Sequence, residues 1–229
     1  TEPLAANVTL VAIMLAPEPE PDLYMIDRYL AGAEYAGVKG AVLINKADIK
    51  GAANLSAAIA EEYRRAGYPV VWLSALGGDG LDELRALLRD EVTLLVGQSG
   101  VGKSTLCNAL VPASLRPTRA LSASTGEGTH TTVAATLLPL PGGGELVDSP
   151  GVRDFAPAPV SEAMVQMGWP EIRAAAIGCR FNNCLHLREP GCAVQAAVEV
   201  GAISARRFEG YRRLVNLLRQ LQPSHERPR

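Results

Sequence analysis

Short apolar, β-branched runs alternate with segments of helical spacing through Asp148, and the alternation stops after Pro159. The runs predict strands over Val8–Leu15, Gly40–Asn45, Val70–Ser74, Val92–Val96, Thr132–Leu138 and Glu145–Asp148. Between them, helices are expected over Asp22–Tyr35, Ala52–Ala66, Leu81–Arg89 and Lys103–Leu110. Strands that alternate with helices imply an α/β fold, a mostly parallel sheet with helices on both faces. The turn cluster Pro139–Gly144 separates the last two runs and marks them as the one antiparallel hairpin. Residues Pro112–Thr131 are rich in Ser, Thr and Gly and read as a long mobile loop, of a length that is usually functional or disordered. Beyond Pro159 only helical patterns return, which predicts a division into residues 1–159 and a small helical domain over 160–229.

With 48% hydrophobic and 20% charged residues in 229, the chain has the composition of a folded globular protein, and disorder is not the default. Its net charge of −2 leaves any contact with nucleic acid to a local patch. One candidate lies beyond Gly201, where seven arginines face Glu209 and Glu226. The longest apolar runs, such as Leu10–Ala16, fall far short of a membrane span, and no signal peptide pattern opens the chain. Three of four cysteines crowd into positions 179–192 beside a histidine, which argues for metal binding in a reducing compartment, with the cytoplasm as the expected location.

Gly97-Gln98-Ser99-Gly100-Val101-Gly102-Lys103-Ser104 follows a buried-strand pattern and opens a helix, the context that gives a phosphate loop its meaning. Its glycines let successive amides turn inward, the helix start adds a positive dipole end, Lys103 reaches the β and γ phosphates, and Ser104 ligates magnesium. Thr105 completes the expected nucleotide contacts. Cys107 is expected as a small core residue.

Asn45-Lys46-Ala47-Asp48 ends an apolar strand, at the sheet edge where open α/β folds bind ligands. Asp48 can accept both the N1–H and the N2 amine of guanine, whereas adenine would leave that carboxylate unpaired. Asn45 is expected at the O6/N7 edge, with the Lys46 stem over the base face. Ser74-Ala75 ends another strand and offers the Ala75 N–H to guanine O6; Trp72 beside it is expected in the core. The tetrad precedes the phosphate loop, although GTP-binding domains ordinarily carry it late. The order implies a circular permutation, which preserves a site when the old termini lay close together.

Leu146-Val147-Asp148-Ser149-Pro150-Gly151 places an aspartate at a strand end, suited to hold magnesium through water, with the Gly151 amide available to the γ-phosphate. Thr131 and Thr132 are both candidates for the hydroxyl that completes the magnesium shell. Val152 stands where many GTPases carry a water-orienting glutamine, and an apolar side chain cannot do that work. His130 is the best in-chain candidate to orient or deprotonate the attacking water.

Cys179-x4-Cys184-x-His186-x5-Cys192 supplies three thiolates and an imidazole, the ligand number and type of a closed, structural zinc site.

Together, Ala5-Ala6-Asn7-Val8, the Asn45–Asp48 tetrad, Ser74-Ala75, the phosphate loop, Gly128-Thr129-His130-Thr131-Thr132, Asp148–Gly151 and the cysteine-histidine knuckle resemble the circularly permuted GTPases of the RsgA (YjeQ) family. The resemblance covers nearly the whole chain. It implies GTP hydrolysis stimulated by the small ribosomal subunit, late action in the maturation of that subunit, a bound zinc, contacts with ribosomal RNA, no membrane, and a monomer. The family's usual N-terminal OB-fold lies ahead of where this sequence starts, and Gly126-Glu127-Gly128-Thr129 replaces the basic residues usual before His-Thr-Thr. Two other functions stay open on sequence alone. One is a nucleotide-dependent enzyme acting on a small acceptor, and the other is a GTP-binding module without hydrolysis.

Overall fold

The computed structural model describes residues 7–49, 53–112, 114, 136–148 and 161–221. Six strands, β1 (Leu10–Leu15), β2 (Lys39–Ile44), β3 (Val70–Trp72), β4 (Val92–Gly97), β5 (Thr136–Pro139) and β6 (Glu145–Asp148), form one sheet in the order β3-β2-β1-β4-β6-β5. All neighbours are parallel except β5 and β6, the antiparallel hairpin expected around Pro139–Gly144. Four helices join the strands: α1 (Leu23–Tyr35), α2 (Ala53–Arg65), α3 (Leu81–Leu88) and α4 (Lys103–Leu110).

The period-two pattern of β1 explains why both faces are covered. Val11, Ile13 and Leu15 point toward α1 and α2, where they join Ile26, Leu30, Ile59 and Tyr63. Leu10, Ala12 and Met14 point the other way, toward α3 and α4, and join Leu84, Leu88, Leu106 and Leu110. Trp72 and Cys107 are half-buried against these two clusters, one on each face. β3 is two residues shorter than the apolar run suggests. At the edge of the sheet Ser74 leaves the ladder, its N–H donating to the Asp79 carbonyl, which starts the turn into α3.

The described residues after β6 carry helices and the loops between them: α5 (Glu162–Val165), a 3₁₀ turn (Gln166–Gly168), α6 (Pro170–Ala176), α7 (Ala193–Glu199) and α8 (Ala205–Leu221). These elements pack around Trp169, Ile172, Val194, Tyr211 and Val215, and the cluster takes in Ala31 from α1. The indole of Trp169 meets Tyr211 edge-on at 5.7 Å. The expected division at 159/160 lies outside the described residues, as do most of the Pro112–Thr131 loop and residues 149–160.

α1 is therefore shared between two cores, and a buried ionic network fastens its outer face. Asp27, fully buried, accepts from Arg207 Nη1 at 2.8 Å, Arg206 Nη1 at 2.8 Å and the Tyr63 hydroxyl at 3.1 Å. Arg207 also pairs with Glu171 of α6, and Arg206 with Glu62 of α2. With Arg207 only 2% exposed, removing one partner leaves charge stranded in low dielectric. Asp27→Ala is accordingly expected to lower unfolding free energy by about 3–5 kcal/mol, whereas Arg212→Ala, in an exposed pair, changes it by less than about 1 kcal/mol. Denaturant titration of both variants checks the difference.

Candidate nucleotide and metal sites

The pairing of β1 with both β2 and β4 brings the ends of β2 and β4 to one edge of the sheet, on either side of Leu15. There the chain order reverses, since β2 and β3 lie to one side of β1 and β4, β6 and β5 to the other. Open α/β sheets form their ligand crevice at such a switch point.

The phosphate loop leaves β4 through glycines that no other residue can replace. A Cβ on Gly97, at φ +145°, would stand 2.1 Å from the Met14 carbonyl oxygen, and one on Gly102, at φ +102°, 2.4 Å from Asn45 Nδ2. Within the loop, the Lys103 ammonium donates to the carbonyls of Gly97 at 2.6 Å and Gln98 at 2.7 Å. Val101 is buried beneath α4, while Ser99 and Gly100 are exposed, as are Ser104 and Thr105 in the first turn of the helix. Gln98 reaches sideways. Its Oε1 accepts from the Asp22 N–H at 3.0 Å and its Nε2 donates to the Glu20 carbonyl at 3.4 Å, tying the loop to the start of α1.

Asn45 is 3% exposed and joins three segments. Its Nδ2 donates to the Val101 carbonyl at 2.8 Å and its Oδ1 accepts from the Ala75 N–H at 2.9 Å. Sequence spacing assigns Asn45 to the O6/N7 edge of guanine and the Ala75 N–H to O6; in the structure these two groups bond each other. Lys46, at φ +60°, donates to the Glu18 carbonyl at 2.6 Å. Asp48 is exposed beside this junction. The buried Ser74 hydroxyl donates to its carboxylate and holds Asp48 below the usual carboxylate range, and Ser74 Oγ in turn accepts from the Gly77 N–H at 2.9 Å. An exposed, charged acceptor held by a fixed hydroxyl is suited to a paired donor edge such as that of guanine.

Asp148 closes β6, one residue past the Leu94–Val147 pair that sets β6 beside the phosphate-loop strand. Gly151, His130, Thr131 and Thr132 lie outside the described residues.

In the loop between α6 and α7, the ligand atoms of Cys179, Cys184, His186 and Cys192 lie within 4.8 Å of one another. Burial pushes the Cys184 thiol up to about 12 and raises Cys192, while it lowers His186. Sulfurs so close and so reluctant to ionise alone fit a site where a cation supplies the compensating charge. His186 takes a left-handed φ of +59° to turn its ring inward, and Nδ1 lies 3.5 Å from Cys179 Sγ and 3.4 Å from Cys192 Sγ.

The sequence pattern described as RsgA GTPase matches residues 1–157. The chain belongs to the RsgA GTPase family. Small ribosomal subunit biogenesis GTPase RsgA of Pseudomonas fluorescens is 47% identical over 216 residues, and that of Azotobacter vinelandii 48% over 217. Each match covers 93% of this chain and 63% of the relative, so the chain spans less than two thirds of those RsgA proteins. Among solved structures, YloQ, described as a circularly permuted GTPase, superposes with a TM-score of 0.77 at 29% identity, over 95% of this chain and 70% of its own. YjeQ from Thermotoga maritima gives 0.77 at 31% identity, over 93% and 72%. The RsgA fold here is thus that of a circularly permuted GTPase, a mixed α/β sheet followed by a Cys₃His cluster.

Three contacts carry no sequence signal by which they would be found, although Gln98 and Ser74 themselves belong to the motifs read above. These are Gln98 as a tie to α1, Ser74 as the partner of Asp48, and Gln166, whose Oε1 faces His186 Nε2 at 2.9 Å. Spacing cannot announce a contact made across a fold.

Asn45→Ala leaves the Ala75 N–H and the Val101 carbonyl without their buried partner, and each orphan costs about 1–3 kcal/mol. Unfolding free energy should fall accordingly and nucleotide affinity with it, as denaturant titration and equilibrium binding would read. Metal uptake by the Cys₃His cluster should strengthen as pH rises, because the thiols must lose protons on ligation. Proton release measured during zinc titration, together with apparent affinity at successive pH values, checks the sign.

Proposed function

We propose that this chain binds and hydrolyses GTP with magnesium and acts in late maturation of the small ribosomal subunit, in contact with its ribosomal RNA. The reading keeps a GTPase domain over residues 1–159 and a helical domain over 160–229 that holds one structural zinc through Cys179, Cys184, His186 and Cys192. In this reading the protein is itself a monomer of the cytoplasm.

The observation that carries the proposal is the Asn45 carboxamide, which joins the phosphate loop to the Ser74-Ala75 loop beside an ionised Asp48. The residues read as phosphate and base determinants are separated in the chain and lie at one sheet edge, which supports a guanine nucleotide as the ligand. The relatives' name, small ribosomal subunit biogenesis GTPase, supports the biological role. In this reading Gly97 to Thr105 cradle the phosphates, and Asn45, Lys46, Asp48, Ser74 and Ala75 frame the base. Ser104, Asp148 and Thr131 or Thr132 hold magnesium, and the Gly151 amide meets the γ-phosphate. His130 orients or deprotonates the water, a task closed to Val152.

Turnover of GTP with and without purified small subunits tests the role. Stimulation is expected; turnover that responds only to a small phosphoryl acceptor, or to nothing, refutes it. Lys103→Ala should reduce turnover about a hundredfold or more by removing the cation from the phosphates. Asp48→Asn should cut the preference for GTP over ATP at least about tenfold, read by competition binding. Single-turnover rates of His130→Ala on small subunits should fall about a hundredfold or more if His130 handles the water.

A further inference from the structure

A histidine can offer a metal either ring nitrogen, and a cluster of thiolates closes properly only around one of them. In this chain the choice is made by hydrogen bonds outside the cluster. Gln166 Nε2 donates to the Ala163 carbonyl at 3.2 Å, a partner that can only accept, so the amide oxygen is turned the other way. That oxygen lies 2.9 Å from His186 Nε2, which must therefore carry the proton. Nδ1 is left with a bare lone pair, 3.5 Å from Cys179 Sγ and 3.4 Å from Cys192 Sγ. Tyr211 limits the ring from the side, with centroids 6.0 Å apart, and anchors the same loop by donating its hydroxyl to the Leu185 carbonyl at 2.9 Å.

Gln166 also belongs to the turn that seats the C-terminal helices on α1. The approach is close, since a Cβ on Gly168 would stand 2.7 Å from Ala31 Cβ and 2.7 Å from Tyr35 Cζ. Next to it, the Tyr35 hydroxyl donates to the Val165 carbonyl at 2.8 Å. One residue thus touches a ligand of the cluster on one side and continues into the contact with the sheet-bearing half on the other.

We propose that Gln166 is the positioning residue of the metal site, selecting Nδ1 of His186 as the ligand and linking metal loading to the seating of residues 162–168 on α1. The inference rests on the reading of Cys179, Cys184, His186 and Cys192 as a metal site. Partners of ligating histidines elsewhere change metal affinity by about 10–100-fold when removed, which sets the expected scale.

The test uses the intact chain with cobalt(II) as the spectroscopic probe and zinc in competition with a chelator. Gln166→Leu should lose about 10–100-fold in zinc affinity and show an altered cobalt spectrum. Gln166→Glu, which keeps an acceptor for Nε2–H, should bind more tightly than the leucine variant. In the unchanged protein, stripping the metal should speed amide exchange over residues 162–168 and 23–35. A Gln166→Leu protein with wild-type affinity and spectrum overturns the proposal, as do leucine and glutamate variants that lose affinity equally. If the leucine variant fails to fold, the glutamate variant and the exchange experiment decide, and exchange indifferent to metal overturns it. Failure of the unchanged protein to take up either ion would instead remove the metal reading beneath it.

Discussion

The parallel ladder between β1 and β4 is the constraint from which the site follows. It joins strands separated by two βα units and, with β2 paired on the other side of β1, brings the Asn45–Asp48 tetrad from the first quarter of the chain to the glycine-rich loop near its middle. Backbone pairing sets the distance between the two strand ends, and side chains then complete the junction: Asn45 bridges the loops, and Gly102 provides the space that Asn45 fills. Motif order along the chain matters little once strand order in the sheet is kept, which is the physical content of a circular permutation.

The fold was legible because its cues are local and mutually consistent. Alternating apolar residues in β1 name both faces of the sheet, the Pro-Gly cluster names the one hairpin, and the glycine pattern before Lys103 names the loop. What escaped reading is long-range. Nothing near Asn45 says that its amide is shared by Val101 and Ala75, because both partners arrive from other strands. The same holds for the end of β3, where Ser74 leaves the ladder for a turn fastened to Asp79. For the metal cluster the four ligands were legible as a spacing, whereas Gln166 approaches from a different element and left no trace in the pattern.

α1 emerges as the structural middle of the molecule. One side of it completes the core under the sheet, and the other carries Asp27 into a nest of two arginines and the Tyr63 hydroxyl. An apolar contact of the same volume would hold the helices as firmly, since burying ions costs nearly what their attraction returns. What the ions add is orientation: Arg207 must face Asp27 and Glu171 together, which admits few alternative seatings of α8. At its start, α1 is held by Gln98 of the phosphate loop.

The two borders of the sheet carry a consequence of their own. An apolar sheet invites a second molecule to extend it, yet at one border β3 offers only three residues, and at the other, among the described residues, β5 ends in Pro139, which has no N–H to give. A rim as short as β3 gives a neighbouring backbone too few rungs to grip, so on that side the sheet resists growing from one molecule into the next.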